Sequence, residues 1–162
     1  MQYCDCGKKQ RYEMRNQIEN IVKDERVNRN RFHEVSKLEY EDIIRKFYYT
    51  FCDYKKFPTI KLDYLWLRFH ESLQSTECKR CRDWNSYIEE MAELVPAEQQ
   101  EQKVYLILDY GWVYEGFLPE IQTVLLNTDG LLEDFYIVSK HYEWVIAHSE
   151  DGEAMCRYWR NQ

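Results

Sequence analysis

The stretch that most constrains the fold is residues 134–152, which read DFYIVSKHYEWVIAHSEDG. Two runs in it, 134–139 and 142–147, are rich in β-branched and aromatic residues, and only Lys140 and His141 separate them. Such a pair predicts a β-hairpin. Both runs are apolar at successive positions rather than at alternate ones, which is typical of strands buried on both faces. We therefore expect this hairpin at the centre of a sheet that helices cover.

The remainder of the chain divides into a helical first half and a strand-rich second half. Apolar side chains at spacings of three and four predict helices over residues 8–26, 36–52, 62–73 and 84–95, with a strand over 60–67 as an alternative for the third. After Pro96 come a predicted strand at 103–109, an edge strand or bulge at 112–114, a helix from Pro119, the hairpin, and a last strand near 155–159.

This order predicts an α+β fold, in which N-terminal helices pack on a small, mainly antiparallel C-terminal sheet. A chain of 162 residues is expected to form one domain over 1–162, with a helical half at about 8–96 and a sheet half at about 103–160. A hydrophobic content of 44% excludes a wholly disordered chain.

Composition also indicates where the protein works. There is no run of about 18 apolar residues, and the N-terminus is polar and charged, so neither a membrane span nor a secretory signal is predicted. We expect a cytoplasmic protein with no membrane contact. In that compartment the six cysteines are expected to be free thiols, with Cys52 and Cys156 as ordinary core residues.

The net charge of −7 is spread unevenly, and the excess of acidic residues lies in the second half. Acidic and aromatic residues occur there together, a combination that suits a protein-binding surface with aromatic anchors and a charged rim. An acidic surface of this kind attracts basic partners and repels nucleic acid. The predicted partner-binding residues are Tyr110, Trp112, Tyr114, Asp129, Glu133, Asp134, Glu143, Glu150, Asp151 and Glu153. The alternative is that Trp112 and Tyr114 belong to the core and the acids only face water.

A second kind of site is suggested by Cys78 and Cys81 in the sequence CKRC. Two thiolates at this spacing can bind one zinc ion, but a structural zinc needs four ligands, and Cys4 with Cys6 is the only second pair. A thioredoxin-like role is disfavoured because no predicted strand directly precedes the motif. Two ordinary thiols in a connecting loop remain the default interpretation, and we expect neither a metal nor a cofactor.

An enzyme is the third possibility. His148 follows a predicted strand and precedes acidic residues, so it could act as an acid or base with them or with Cys156 as a nucleophile. The chain contains no nucleophile-elbow motif and no glycine-rich phosphate loop, and we do not expect catalysis. The basic N-terminal helix with Tyr12 and Phe32 could contact nucleic acid, but interspersed acids argue against direct binding.

The segment 103–159 resembles a pattern found in small uncharacterised bacterial α+β proteins. In that pattern a strand and a short helix precede a D-[IF]-Y-[IV]-V-x-K-x-[FY]-x-W stretch, matched here by DFYIVSKHYEW, and a turn that contains histidine follows. Some small acidic proteins of this sort are immunity proteins that neutralise toxins of interbacterial competition. The resemblance implies fold more directly than function, and it identifies no catalytic residue.

The functional expectation is therefore a cytoplasmic inhibitor that covers a basic toxin, for example a nuclease, with its acidic face. One alternative is a small enzyme that uses His148. The other is an interaction module stabilised by a zinc ion that Cys78 and Cys81 bind.

Overall fold

The computed structural model describes the backbone of residues 5–161 and the side chains of residues 12–161. The α-helices are α1 (Asp5–Asp24), α2 (Lys37–Phe51), α3 (Trp84–Glu90) and α4 (Leu118–Leu126). Short 3-10 helices span Leu65–Arg68, Met91–Leu94 and Ala97–Gln99. The strands are β1 (Phe32–Glu34), β2 (Gln74–Ser75), β3 (Lys79–Arg80), β4 (Val104–Leu108), β5 (Val113–Gly116), β6 (Phe135–Ser139), β7 (Trp144–Ser149) and β8 (Ala154–Trp159).

The eight strands form one antiparallel sheet in the order β1-β5-β4-β6-β7-β8-β2, with β3 also paired to β8. The predicted α+β class is confirmed, and so is the central hairpin, because β6 and β7 pair with each other between β4 and β8. Every residue of β6 is buried. The two faces of the hairpin are covered by different helices, as the apolar pattern predicted.

Ring contacts identify the covering helices. On one face, Tyr136 of β6 lies 5.4 Å from Phe47 of α2 between ring centroids. On the other face, Phe135 stacks on His148 of β7 at 4.6 Å, and His148 in turn contacts Trp84 of α3. The Trp84 indole N–H donates to the Leu125 carbonyl of α4 at 2.8 Å, so α3 and α4 cover this face together.

Of the four helices predicted for the first half, the third does not form, and the fourth ends as α3 at Glu90 and continues as the 3-10 helix Met91–Leu94. Residues 62–73 do not form a helix; they form an irregular segment with the 3-10 turn Leu65–Arg68, which begins after Tyr64 in the left-handed region at φ 49°. Leu65 is buried, and Trp66 and Phe69 are partly buried against the core. A loop laid over the core can therefore bury apolar residues at helix-like spacing without being a helix.

Three strands in the first half, β1, β2 and β3, were not predicted from the sequence. They are only two or three residues long, which is too short to produce an alternating pattern. β1 pairs with β5 on its outer side, so β5 is an inner strand and not the expected edge strand or bulge.

The expectation that all cysteines are free thiols is wrong, because Cys78 and Cys156 form a disulfide. Cys78 lies one position beyond the Lys79–Met155 pair of β3 and β8, so it faces Cys156 directly across the antiparallel ladder. Cys52 is a free, buried thiol at the end of α2, and burial raises its pKa to about 12, as expected for a core residue.

Gly116 is required where β1 crosses close to β5. A Cβ atom at this position would lie 2.7 Å from the Arg31 carbonyl oxygen and 2.9 Å from a ring carbon of Phe32. Both atoms belong to packed structure at the start of β1, so they cannot move aside freely. We expect Gly116→Ala to lower the free energy of unfolding by roughly 1–3 kcal/mol in a chemical denaturation experiment.

Gly152→Ala is the matched control, because this glycine is in a turn and a Cβ atom added to it would have no neighbour within 4 Å. That variant should unfold within about 0.5 kcal/mol of the parent chain. Equal losses in the two variants would contradict the assigned contact between β1 and β5.

Candidate functional site

An acidic cleft lies at one end of the sheet. Its volume is about 310 Å³, and every described residue that lines it is acidic or a tyrosine: Asp63, Tyr64, Asp109, Tyr110, Glu133, Asp134, Glu150 and Asp151. No lysine, arginine or histidine of the described chain lines it. Within the part of the chain that is described, none of these six carboxylates pairs with a basic side chain.

The register of the central strands brings these residues together. Leu108 of β4 faces Phe135 of β6, and Phe135 faces His148 of β7. The end of β4, the start of β6 and the end of β7 therefore lie side by side. The loops that leave this end carry Asp109, Glu133 with Asp134, and Glu150 with Asp151, while the irregular segment before Leu65 adds Asp63 and Tyr64.

The carboxylates differ in depth. Asp63, Glu133, Glu150 and Asp151 are exposed at the rim, whereas Asp134 is only 6% exposed. Asp134 Oδ1 accepts a hydrogen bond of 2.9 Å from the Glu150 backbone N–H, which holds the turn after β7 against the start of β6. The buried Asp134 carboxylate therefore holds the backbone of Glu150 at the rim in place.

Asp109 has the most perturbed carboxyl group of the cleft. Burial, followed by repulsion from Glu133 and Asp134, raises its pKa to about 7. The backbone N–H groups of Asp134 and Tyr110 act in the opposite direction but do not offset the increase. Burial and neighbouring carboxylates also raise the pKa values of Glu133 and Asp134. The cleft is therefore a place where negative charge is crowded and poorly solvated.

One oxygen of the Asp109 carboxyl group also lacks a partner among the described residues. Asp109 Oδ1 is buried without a hydrogen bond to any described residue. A buried acceptor without a donor costs free energy, and a charged acceptor costs more than a neutral one. A donor that carries positive charge would lower this cost at Asp109.

The structure separates the predicted partner-binding residues into groups. Tyr110, Glu133, Asp134, Glu150 and Asp151 line the cleft. Asp63, Tyr64 and Asp109 also line it, although they were not among the residues predicted from the sequence. Asp109 is the last residue of the predicted strand 103–109, and a carboxylate at the end of an apolar strand was the signal that could have identified it.

Trp112 and Tyr114 cannot be exposed aromatic anchors, because they are 2% and 0% exposed. Trp112 meets Tyr40 of α2 edge-on at 6.2 Å, and Tyr114 stacks on Phe32 of β1 at 5.1 Å. The expectation that these two rings are exposed is wrong because β1 and the helices cover β5. Both are core residues, as the alternative interpretation held.

The other three predicted acids lie outside the cleft. Glu143 is in the turn between β6 and β7 and borders a separate cavity with Trp144 and Arg157. Asp129 and Glu153 act on Cys81, whose pKa is raised first by burial and then by these carboxylates. The ten predicted residues therefore do not form one continuous face.

The structure does not bring Cys78 and Cys81 together as a pair of zinc-binding thiolates. Cys78 is bonded to Cys156, Cys81 is a free and partly buried thiol, and Cys4 with the side chain of Cys6 lies outside the described residues. Among the residues that are described, no group of three or more histidine, cysteine or acidic side chains has a geometry that could hold a metal ion. This result includes the carboxylates of the cleft.

His148 is a structural residue rather than an exposed acid or base. It is 3% exposed, its Nδ1 shares a 2.6 Å hydrogen bond with the Tyr87 hydroxyl, and burial lowers its pKa to about 4. Its suggested nucleophile, Cys156, has its sulfur in the disulfide. Cys156 and His148 therefore do not form the nucleophile and base pair that Cys-His catalysis needs.

Comparison with known proteins places the chain in a family. A model for a family of unknown function, DUF6756, matches residues 10–161. The chain belongs to the DUF6756 family. No curated protein and no solved structure matches it. In this DUF6756 chain the matched region includes every residue of the acidic cleft. Among the described residues, no helix combines the length and apolar character needed to cross a bilayer.

The pKa of Asp109 predicts a pH dependence of stability. A carboxyl group whose pKa is higher in the folded state than in the unfolded state favours folding at low pH, and this contribution is lost as pH rises. For Asp109 the loss occurs between about pH 4 and the folded pKa of about 7. Asp109→Asn removes the buried charge, so it should stabilise the protein at pH 8 by an amount on the order of a few kcal/mol.

At pH 5 the same substitution should change stability much less, because Asp109 is already largely neutral there. Urea denaturation at both pH values measures the difference, and Glu39→Gln on the exposed face of α2 is the control. An Asp109→Asn effect that is the same at pH 5 and pH 8 would show that Asp109 is not a buried charge.

Proposed function

We propose that this protein binds a basic segment of another protein in the acidic cleft. The observation that carries the proposal is the set of six carboxylates around one cavity with no basic side chain of the described chain among them. A lysine or arginine side chain of a partner would supply the missing positive charge and a hydrogen-bond donor for Asp109 Oδ1.

The size and the rim of the cleft support a side chain as the ligand. A volume of about 310 Å³ accommodates one or two long cationic side chains. Tyr64, which is 52% exposed, and Tyr110 border the opening, where their rings can contact the aliphatic stem or the cationic head of an arginine or lysine. The four exposed carboxylates at the rim would attract such a partner from a distance.

The proposal extends to the biological role. A basic toxin, including a nuclease, is a partner of this chemistry, and the protein would neutralise it as a cytoplasmic immunity protein. Protection of cells that express a basic toxin encoded beside the gene tests this role. Binding of a basic segment in the cleft is tested independently of this role, because a basic partner of any other origin would use the same carboxylates.

The cleft is tested by neutralising its rim. The triple variant Glu133→Gln, Glu150→Gln, Asp151→Asn removes three charges, and none of the three side chains is buried. We expect it to bind a fluorescent lysine- and arginine-rich peptide at least about tenfold more weakly, as measured by fluorescence anisotropy. The reason is that each ion pair lost between a rim carboxylate and the peptide contributes roughly 0.5–1 kcal/mol. Binding by the parent chain should weaken as salt increases.

The matched control is Glu39→Gln, Glu98→Gln, Glu101→Gln, which removes the same net charge from exposed positions outside the cleft. It should change the affinity by less than about twofold, because distant exposed charges are screened. If the two triple variants weaken binding equally, general charge rather than the cleft attracts the peptide. If spermidine alone displaces the peptide stoichiometrically, the cleft binds small polyamines instead.

A further inference from the structure

The disulfide joins two cysteines of very different accessibility. Cys156 lies in β8 and is 5% exposed, whereas Cys78 is an exposed residue on the outer edge of the sheet. Their Cα atoms are 4.4 Å apart, as in the closely spaced pairs of an antiparallel ladder. A molecule in solution can therefore approach the bond from the Cys78 side, while β8 and its neighbours shield the other sulfur.

A cavity gives access to this exposed side. It has a volume of about 540 Å³, and Cys78 is one of its lining residues together with Arg80, Arg82, Tyr87 and Glu90. Neither Arg80 nor Arg82 makes an ion pair with a described residue, and both are exposed. The carboxylates of Asp83 and Glu90 line the same cavity. Free guanidinium groups beside carboxylates suit a small thiol that carries both carboxylates and an ammonium group.

The third cysteine of this region does not compete for the bond. Burial, then Glu153 and Asp129, raise the pKa of Cys81, so its thiol has little thiolate character. Cys81 also follows β3 and donates its backbone N–H to the Glu153 carbonyl at 2.7 Å. On an extended strand, residues three apart are separated by roughly 10 Å, which is too far for a disulfide between Cys78 and Cys81.

From this arrangement we propose that Cys78 is a site of reversible thiolation by a small anionic thiol of the glutathione class. The thiolate attacks Sγ of Cys78, the bond between Cys78 and Cys156 breaks, and the electron pair leaves on Sγ of Cys156, which takes a proton from water. The product is a mixed disulfide on Cys78 and a free thiol on Cys156. A second molecule of the small thiol, as its thiolate, then attacks the sulfur of the first molecule. The two molecules leave as a symmetric disulfide, and Cys78 is left as a reduced thiol.

Reduction would loosen the outer edge of the sheet. The disulfide links positions separated by 78 residues, and it fastens β3 to β8 beside the two-residue ladder that joins them. Without it, the segment 74–81 is held by short strand pairs, by the hydrogen bonds between Thr76 and Arg157, by the Cys81 N–H bonded to the Glu153 carbonyl, and by the ion pair of Lys79 with Glu93. The site does not depend on the acidic cleft or its partner, so either proposal can fail alone.

Peptide mapping of the whole folded chain tests the site. The protein is incubated with excess reduced glutathione at pH 8 and quenched with acid, and the modified cysteines are located by mass spectrometry. We expect the adduct on Cys78, a free thiol on Cys156, and a lower midpoint of thermal unfolding after full reduction. An adduct first on Cys156 or Cys81, or a disulfide that persists until the chain unfolds, would overturn the proposal.

Single variants test the asymmetry of the pair. Cys156→Ser leaves Cys78 as an exposed thiol, which oxidised glutathione should modify; Cys78→Ser leaves Cys156 buried, and it should stay unmodified while the chain is folded. Cys81→Ser keeps the disulfide and should exchange like the parent chain. Equal modification of the two single variants, with circular dichroism showing both folded, contradicts the assignment; if either variant is unfolded, the map of the parent chain decides.

Discussion

The structure depends on the burial of the β6–β7 hairpin on both faces. Phe135 and Tyr136 are consecutive residues whose side chains point to opposite sides of the sheet, and both are completely buried. Covering both sides requires helices above and below, which α2 on one side and α3 with α4 on the other provide. A strand of this kind cannot lie at a sheet edge or face water without exposing large apolar area.

The same arrangement creates the acidic cleft. Because β4, β6 and β7 are neighbouring antiparallel strands with a fixed register, three separate connections meet at one end of the sheet. The described residues that line this end all belong to connections rather than to helices, and they are polar. The cost of placing Asp109 and Asp134 so close together is visible in their raised pKa values. Crowding of like charge without a basic neighbour among the described residues is unfavourable in the free protein, and a bound cation would relieve it.

The two edges of the sheet are stabilised in different ways. β1 extends the sheet beyond β5 and encloses Tyr114, which turns an expected surface residue into core. At the opposite edge, β2 and β3 are only two residues long, and the disulfide between Cys78 and Cys156 supplements their few hydrogen bonds. The stability of that edge therefore rests partly on a covalent bond that thiols can reach, in a protein for which we propose a cytoplasmic location, where disulfides are usually transient.

The sequence alone determined the elements whose signal is local. The hairpin, β4, β8 and the helices near α1, α2, α3 and α4 follow from apolar periodicity and turn residues, because neighbouring positions decide these patterns. Local patterns also indicated that acidic residues crowd around residues 133–134 and 150–151. They could not distinguish the loop at 62–73 from a helix, because both bury apolar residues at similar spacing.

Only the tertiary structure decided which acids share a site and which cysteines share a bond. Asp109 joins Glu133 and Asp151 through the pairing of β4, β6 and β7, and the irregular segment before Leu65 adds Asp63. Glu143 is excluded because its turn lies at the other end of the hairpin. Cys78 meets Cys156 through the pairing of β3 with β8, across 78 positions of sequence. Such contacts depend on register between elements, and the side-chain pattern of a two-residue strand does not encode register.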